Sequence, residues 1–154
     1  MSNRRVSVKK QHVVALAAWF FLILLGSGFV HAQQKSLYER LGGYDAIAAV
    51  TDDFIGRLAT DPTQSRFFVG HSDDSKQRIR QHIVDQLCNL TGGPCVYKGR
   101  DMKTAHKGLG ITQADWDISV KHLVATLDKF KVPEKEKNEV LTAVSGLKDQ
   151  IVEK

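Results

Sequence analysis

The hydrophobic positions after residue 42 predict a helical protein. In four separate stretches apolar side chains recur every three or four residues, which is the spacing of one face of an α-helix. The first stretch predicts a helix over about 45–60, because Asp61-Pro62 stops the pattern where a proline ring prevents its continuation. The apolar positions of this helix are Ile47, Val50, Phe54 and Leu58.

Three further helices are predicted by the stripes that follow. The second stripe ends at the Gly92-Gly93-Pro94 loop and consists of Ile79, Ile83, Leu87 and Leu90, with Val84 and Cys88 beside them. The third begins at Thr112, whose hydroxyl can cap a helix, and carries Trp116, Val120, Leu123, Val124, Leu127 and Phe130. The fourth starts at Pro133 and carries Val140, Leu141, Val144, Leu147 and Ile151. Strand-like alternation of any length is absent from the sequence, so the predicted fold class is all-α.

The beginning of the chain has the pattern of an export signal. A basic stretch, Met1 to His12, precedes a continuous apolar run from Val13 to Val30. Val30-His31-Ala32 has small residues at the first and third positions before a cut after Ala32, which predicts a cleaved signal peptide over residues 1–32. An uncleaved membrane anchor is the alternative, because the run is near the lower limit for spanning a bilayer. Both interpretations place the domain of residues 33–154 outside the cytoplasm, in the periplasm or secreted.

The net charge of +5 belongs mainly to that first segment. Residues 1–32 hold four basic and no acidic side chains, which leaves 18 basic against 17 acidic side chains in residues 33–154. A nearly neutral domain has no basic excess to neutralise phosphates, so no nucleic-acid partner is expected. Contact with a membrane is expected only if the N-terminal segment is retained.

Other chemistries find little support in the sequence. No His, Cys and carboxylate group has zinc spacing, and there is neither a phosphate-binding glycine motif nor a nucleophile elbow. His71 lies in an acidic loop and His122 on the polar edge of a helix. The pairs Asp52-Asp53 and Asp73-Asp74 are expected to be solvated charges at helix ends.

A domain with four main helices and a long, weakly patterned stretch from Thr91 to Gly110 has a small core of its own. A large apolar cofactor between the helices would enlarge it, and haem needs one axial imidazole on a segment that faces it. His106 lies in such a segment, with Met102 four residues earlier on the same helical face. From composition alone, a partly exposed loop histidine beside a packing methionine is the alternative.

Four motifs in this region and before it carry a family resemblance. In order they are Ser36-Leu37-Tyr38-Glu39-Arg40-Leu41-Gly42-Gly43, Phe67-Phe68, Gly92-Gly93-Pro94, and Tyr97-Lys98-Gly99-Arg100-Asp101-Met102-Lys103-Thr104-Ala105-His106. Together they resemble the group I truncated haemoglobins from about Ser36 to Val152. The resemblance implies a two-over-two helical sandwich around a b-type haem, with the proximal ligand on an extended loop and short helix.

The resemblance also assigns residues to the haem pocket. His106 is implied as the proximal iron ligand, which binds through one ring nitrogen while the other donates a hydrogen bond that fixes the tautomer. Phe68 matches a phenylalanine that packs against the porphyrin face. Further pocket-lining side chains are expected at Phe54, Met102, Ile111, Trp116 and Leu123. Each of these apolar residues would serve equally well in a protein core.

The distal side departs from the family pattern. Many members have Asp-Phe-Tyr on the first long helix, where the tyrosine hydroxyl donates a hydrogen bond to bound dioxygen, but here the string is Asp53-Phe54-Ile55. Ile55 cannot donate, and the loss of such a bond is expected to speed dioxygen release about ten- to hundred-fold. This argues against a very tight oxygen binder and against an efficient nitric oxide dioxygenase.

The distal helix can be placed in two registers. Counting from Phe67-Phe68 puts Lys76, Gln77, Arg80 and Gln81 near the iron, whereas counting from Gly92-Gly93 puts Ile79, His82, Ile83 and Leu87 there. The second register is preferred, because a helix must bury its apolar stripe. It sets His82 at the pocket edge, where some family members place a histidine that binds iron as a sixth ligand. A solvent-facing or propionate-bonded His82 is the alternative, with Gln77 or Gln81 as the hydrogen-bond donor.

The two cysteines leave two alternatives open. Cys88 and Cys95 lie on either side of the Gly92-Gly93-Pro94 turn, so in an oxidising compartment they could form a disulfide, and otherwise they are two buried free thiols. The string Cys-x-x-Cys-His is absent from the sequence, so covalent c-type haem attachment is not indicated.

The expected function is reversible binding of dioxygen, nitric oxide or carbon monoxide at haem iron, as in oxygen transport. One alternative is an enzyme, either a nitric oxide dioxygenase or a peroxidase-like protein, with a reductase as partner. Another is an electron-transfer or gas-sensing protein whose axial positions are filled by His106 and His82.

Overall fold

The computed structural model describes residues 34–154, and the predicted signal segment over residues 1–32 lies outside them. Within residues 34–154 all regular structure is helical, which confirms the predicted all-α class. The helices are α1 (Leu37–Arg40), α2 (Gly43–Thr60), a 3₁₀ helix (Ser65–Phe68), α3 (Asp73–Leu90), α4 (Met102–His106), α5 (Gln113–Lys129), α6 (Glu134–Ser145) and α7 (Lys148–Ile151). In this part of the chain no helix has both the length and the apolar character needed to cross a membrane.

The helix ends follow from local chemistry. Thr112 caps α5 as expected: its hydroxyl accepts from the N–H of Asp115, whose carboxylate accepts from the N–H of Thr112 in return. Pro133 lies at the N-cap of α6 and not in its first turn. The fourth predicted helix is divided, because α6 ends at Ser145 and Gly146 forms its C-cap. Glycine has a low helix propensity, which accounts for the break before the short helix α7.

Helix α2 is the centre of the packing. It contacts α3 and α5, and α5 in turn contacts α6, so two helix pairs are joined through α2. One core cluster contains Ile47, Val84 and Cys88, and a second contains Leu123, Leu127 and Val140. Within residues 34–154 only eight apolar side chains are buried, in agreement with the small core that the sequence indicates.

Asp53 is not the solvated helix-end charge that the sequence suggests. It lies inside α2, and its side chain is only 14% exposed. The carboxylate accepts hydrogen bonds from Lys129, from Arg57 (2.7 Å) and from the hydroxyl of Thr126 (2.9 Å). These bonds, led by that of Lys129, lower the pKa of Asp53 to about 2. Asp53 therefore joins α2 to α5.

The two cysteines form a disulfide between the end of α3 and the loop that follows. The Cα atoms of Cys88 and Cys95 are 5.7 Å apart, and the bridge spans the Gly92-Gly93-Pro94 turn. Cys88 is fully buried beside Ile47 and Val84. Of the two alternatives that the sequence left open, the structure has the bridged form, which fixes the start of the segment leading to α4.

Candidate functional site

His106 is presented at the end of α4 in a single tautomer. Its Nδ1 lies 2.8 Å from the backbone carbonyl oxygen of Met102, one helical turn earlier. A carbonyl only accepts hydrogen bonds, so Nδ1 carries the proton and donates. The other ring nitrogen, Nε2, is therefore unprotonated in the neutral ring and has a lone pair available for a metal ion.

The short helix α4, which carries His106, is stabilised by a capping residue next to it in the sequence. The Asp101 carboxylate caps α4 by accepting from the N–H of Thr104 (2.9 Å). Hydrogen bonds from Thr104 to the Asp101 carboxylate lower its pKa, so it is ionised at neutral pH. Met102 and His106 are both half-buried and lie on one face of the helix, as the sequence predicts.

Helix α3 presents a partly covered apolar stripe. Ile79, Ile83 and Leu87 are each half-buried, whereas Val84 and Cys88, on the adjoining face, are completely buried against α2. An apolar ligand placed on this stripe would remove further apolar surface from water. The stripe is the feature expected of a helix that lines a cofactor pocket.

The polar side chains that the other register places near the iron either bind other residues of the protein or are exposed. Arg80 pairs with Asp52 of α2 through two hydrogen bonds of 2.7 and 2.9 Å. Gln81 donates to the Tyr44 hydroxyl and to Asp85, both at 2.9 Å. Lys76 pairs with Asp73, and Gln77 is exposed. These contacts favour the register with Ile79 and Ile83 in the pocket, which stays a prediction.

His82 lies on the exposed side of the α3 stripe. Its ring packs edge-on against Tyr97, with the ring centroids 5.9 Å apart. Tyr97 belongs to the loop before α4, and its hydroxyl donates to the carbonyl oxygen of Arg100 (2.6 Å). Burial raises the pKa of Tyr97, so the hydroxyl stays protonated. The structure thus brings His82 to the segment that leads to His106.

The remaining predicted pocket residues fall into two groups. Ile111, Trp116 and Leu123 are buried, and Phe54, Ile55 and Phe68 are half-buried. Phe54 packs against the cluster that contains Leu123. A cavity of about 110 Å³ between the helices is lined by both Leu87 and Leu123, so these two predicted residues meet at one apolar space.

A polar network around the buried Asp115, which the sequence does not predict, positions the 3₁₀ helix with Phe67 and Phe68. Arg66 binds both oxygens of Asp115 at 2.8 Å, and Gln64 donates to the same carboxylate (3.3 Å). Burial alone would raise the pKa of Asp115, but the bonds from Thr112 and Arg66 outweigh it and lower that pKa. The Thr112-x-x-Asp115 spacing signals the cap. Nothing in the sequence indicates that Arg66 binds Asp115.

Comparisons with known proteins decide the family. A model of the bacterial-like globin family matches residues 36–153. The group 1 truncated haemoglobin GlbN of Mycolicibacterium paratuberculosis is 32% identical over 123 residues, covering 80% of this chain and 88% of the relative. The corresponding protein of a Nostoc species is 34% identical over 120 residues, covering 78% and 99%. The chain belongs to the group 1 truncated haemoglobins.

A solved structure supports the same assignment of fold. The truncated haemoglobin of Tetrahymena pyriformis in its Fe(III) form has a TM-score of 0.71 and 29% identity, covering 78% of this chain and all of that one. The predicted truncated globin fold is therefore confirmed for residues 34–154. The residues present in this truncated haemoglobin also fit haem. His106 offers a free Nε2 to iron, and α3 offers half-buried apolar side chains to a porphyrin. Phe67 and Phe68 are held near the start of α5 by the bonds between Arg66 and Asp115.

Proposed function

We propose that this truncated haemoglobin holds haem b through His106 and reversibly binds dioxygen or another diatomic gas. The observation that carries the proposal is the hydrogen bond from Nδ1 of His106 to the carbonyl oxygen of Met102, at 2.8 Å. This bond fixes the ring orientation and leaves Nε2 as the donor atom for iron. Haem, when bound, would supply an iron that His106 holds and that can bind a diatomic gas.

The side chains expected around the gas site support reversible binding of dioxygen and argue against very tight binding. Ile55 has no hydrogen-bond donor, and Ile79 and Ile83 on α3 are apolar as well. An apolar surrounding excludes water from the site but gives a bound dioxygen little electrostatic stabilisation. We infer moderate affinity and fast release, which suits a gas carrier better than a nitric oxide dioxygenase.

The absorption spectrum of the purified protein tests this proposal directly. We expect a Soret band, release of the haem as unmodified haem b by acidified organic solvent, and a reversible shift of the band when carbon monoxide is added to the reduced protein. A colourless protein that gains no Soret band on addition of haem would overturn the proposal. Rapid catalytic loss of nitric oxide in the presence of dioxygen and a reductant would instead favour the dioxygenase.

We further propose that residues 1–32 direct the protein out of the cytoplasm. The disulfide between Cys88 and Cys95 supports this, because cytoplasmic thiols are normally kept reduced. We expect the mature protein to begin at Gln33, to be released with the periplasmic or secreted fraction, and to resist thiol alkylation until a reductant is added. Recovery of a full-length chain with two alkylated cysteines in the cytoplasm would contradict export. A bridged chain that keeps Met1 and sediments with membranes would support the anchor.

A further inference from the structure

The loop that follows His106 is held by a carboxylate from far along the chain. Glu153 accepts hydrogen bonds from the backbone N–H of Gly108 at Oε1 (2.7 Å) and of Gly110 at Oε2 (2.6 Å). Both glycines have positive φ, at 84° and 65°, a conformation that other residues rarely adopt. Backbone N–H groups turned toward one point in this way form an anion-binding concavity, and here a side chain of the same protein occupies it.

The backbone around Glu153 is bonded to the same loop. The N–H of Glu153 donates to the carbonyl oxygen of Ile111 (2.8 Å), and the N–H of Gln113 donates to the carbonyl oxygen of Lys154 (3.1 Å). Helices α4 and α7, which precede these two segments, also contact each other. Four hydrogen bonds therefore join residues 153–154 to residues 108–113.

The carboxylate of Glu153 accepts hydrogen bonds from backbone amides and forms no salt bridge with a basic side chain of the described residues. The bond from Gly108 and then the bond from Gly110 lower the pKa of Glu153, so it is ionised at neutral pH. Hydrogen bonds from N–H groups to an ionised carboxylate are stronger than bonds between neutral groups. Each oxygen of this carboxylate fixes a different glycine of the loop.

His106 is connected to this clamped loop through its own backbone. Its carbonyl oxygen accepts from the N–H of Leu109 (3.2 Å), which lies between the two glycines that Glu153 binds. On the other side its ring donates to the carbonyl oxygen of Met102. The backbone of His106 is therefore bonded to the loop that follows it, and the ring is bonded to Met102 before it. A shift of the loop would change the direction in which Nε2 points.

We propose that Glu153 is a positioning residue for the proximal ligand, because it fixes the loop after His106 and so keeps Nε2 aligned with the haem iron. The proposal rests on the proposed function, since it assigns Glu153 a part in haem retention. The carboxylate of Glu153 hydrogen-bonds to Gly108 and Gly110 and makes no hydrogen bond to the His106 ring.

Two substitutions and a matched control test this role in the holoprotein. Glu153→Ala removes both acceptor oxygens, and Glu153→Gln keeps one uncharged acceptor. Asp149→Asn, on α7, changes an exposed carboxylate that makes no hydrogen bond within residues 34–154. We expect Glu153→Ala to lose haem to an excess of a haem-scavenging apoprotein about ten-fold faster than the wild type. The rate of haem loss of Glu153→Gln should lie between those of Glu153→Ala and the wild type, and the rate of Asp149→Asn should match that of the wild type.

Two further readouts separate positioning from general stabilisation. We expect Glu153→Ala to shift the iron–histidine stretching band, measured by resonance Raman after photolysis of the carbon monoxide adduct, and to speed amide exchange at Gly108 and Gly110. An unchanged band and an unchanged haem-loss rate in Glu153→Ala would overturn this proposal alone. A wild-type protein that takes up no haem would overturn it together with the proposed function.

Discussion

Replacing His106 with alanine is expected to abolish normal haem retention. Nδ1 of His106 donates to the carbonyl oxygen of Met102, which leaves Nε2 of the neutral ring free to bind the iron. Even the loss of a residue that merely orients such a ligand costs about ten- to hundred-fold in metal affinity, so loss of the ligand itself should cost at least about hundred-fold. The measurement is the Soret absorbance of the purified variant per mole of protein, followed by its rate of haem loss.

The matched control for this substitution is His71→Ala. His71 is an exposed histidine ahead of α3, and its replacement should leave the Soret band and the helical content unchanged. A second variant, His106→Gly, leaves room for free imidazole, which should restore the band if the ring is needed only as a ligand. A wild-type Soret spectrum in His106→Ala without added imidazole is incompatible with the proposed pocket.

Much of the fold could be predicted from the sequence, because it depends on local patterns. The end of α2 follows from Asp61-Pro62 and the cap of α5 from Thr112, and both are confirmed. The division between α6 and α7 was missed, because the apolar stripe continues through Gly146 while the helix does not. A periodic pattern records which face is buried, and it does not record whether the backbone between two turns stays helical.

A site residue can be proposed from the sequence only where its residue type carries the chemistry, and the haem site stays a prediction. His106 stands out because an imidazole ligand has few substitutes. For Cys88 and Cys95 the sequence left a disulfide and two free thiols open, and the structure has the disulfide. Asp53, Asp115 and Glu153 look like surface carboxylates in the sequence. Their partners lie tens of residues away, at Lys129, Arg66 and Gly108, and only the packing of the helices brings them together. Long-range ion pairs and hydrogen bonds leave no periodic signal, so reasoning from one sequence does not find them.

Replacing Ile55 with tyrosine is expected to slow dioxygen release about ten- to hundred-fold. Ile55 is half-buried on α2, at the position where many group I truncated haemoglobins carry a tyrosine whose hydroxyl donates to bound dioxygen. A new hydrogen bond to a partly charged ligand stabilises the bound state by about 1.5–3 kcal/mol, and each 1.4 kcal/mol is a factor of ten. Stopped-flow displacement of dioxygen by carbon monoxide measures the rate.

Ile55→Phe is the matched control, because it adds the same ring without the hydroxyl. If polarity decides the rate, Ile55→Phe should release dioxygen within a few-fold of the wild type, while carbon monoxide release should change little in either variant, since that ligand gains less from a donor. Equal slowing in both variants would mean that the ring blocks the exit of the gas. Slowing in neither would mean that another group already donates to dioxygen, and His82, beside Tyr97, would then be the first residue to replace.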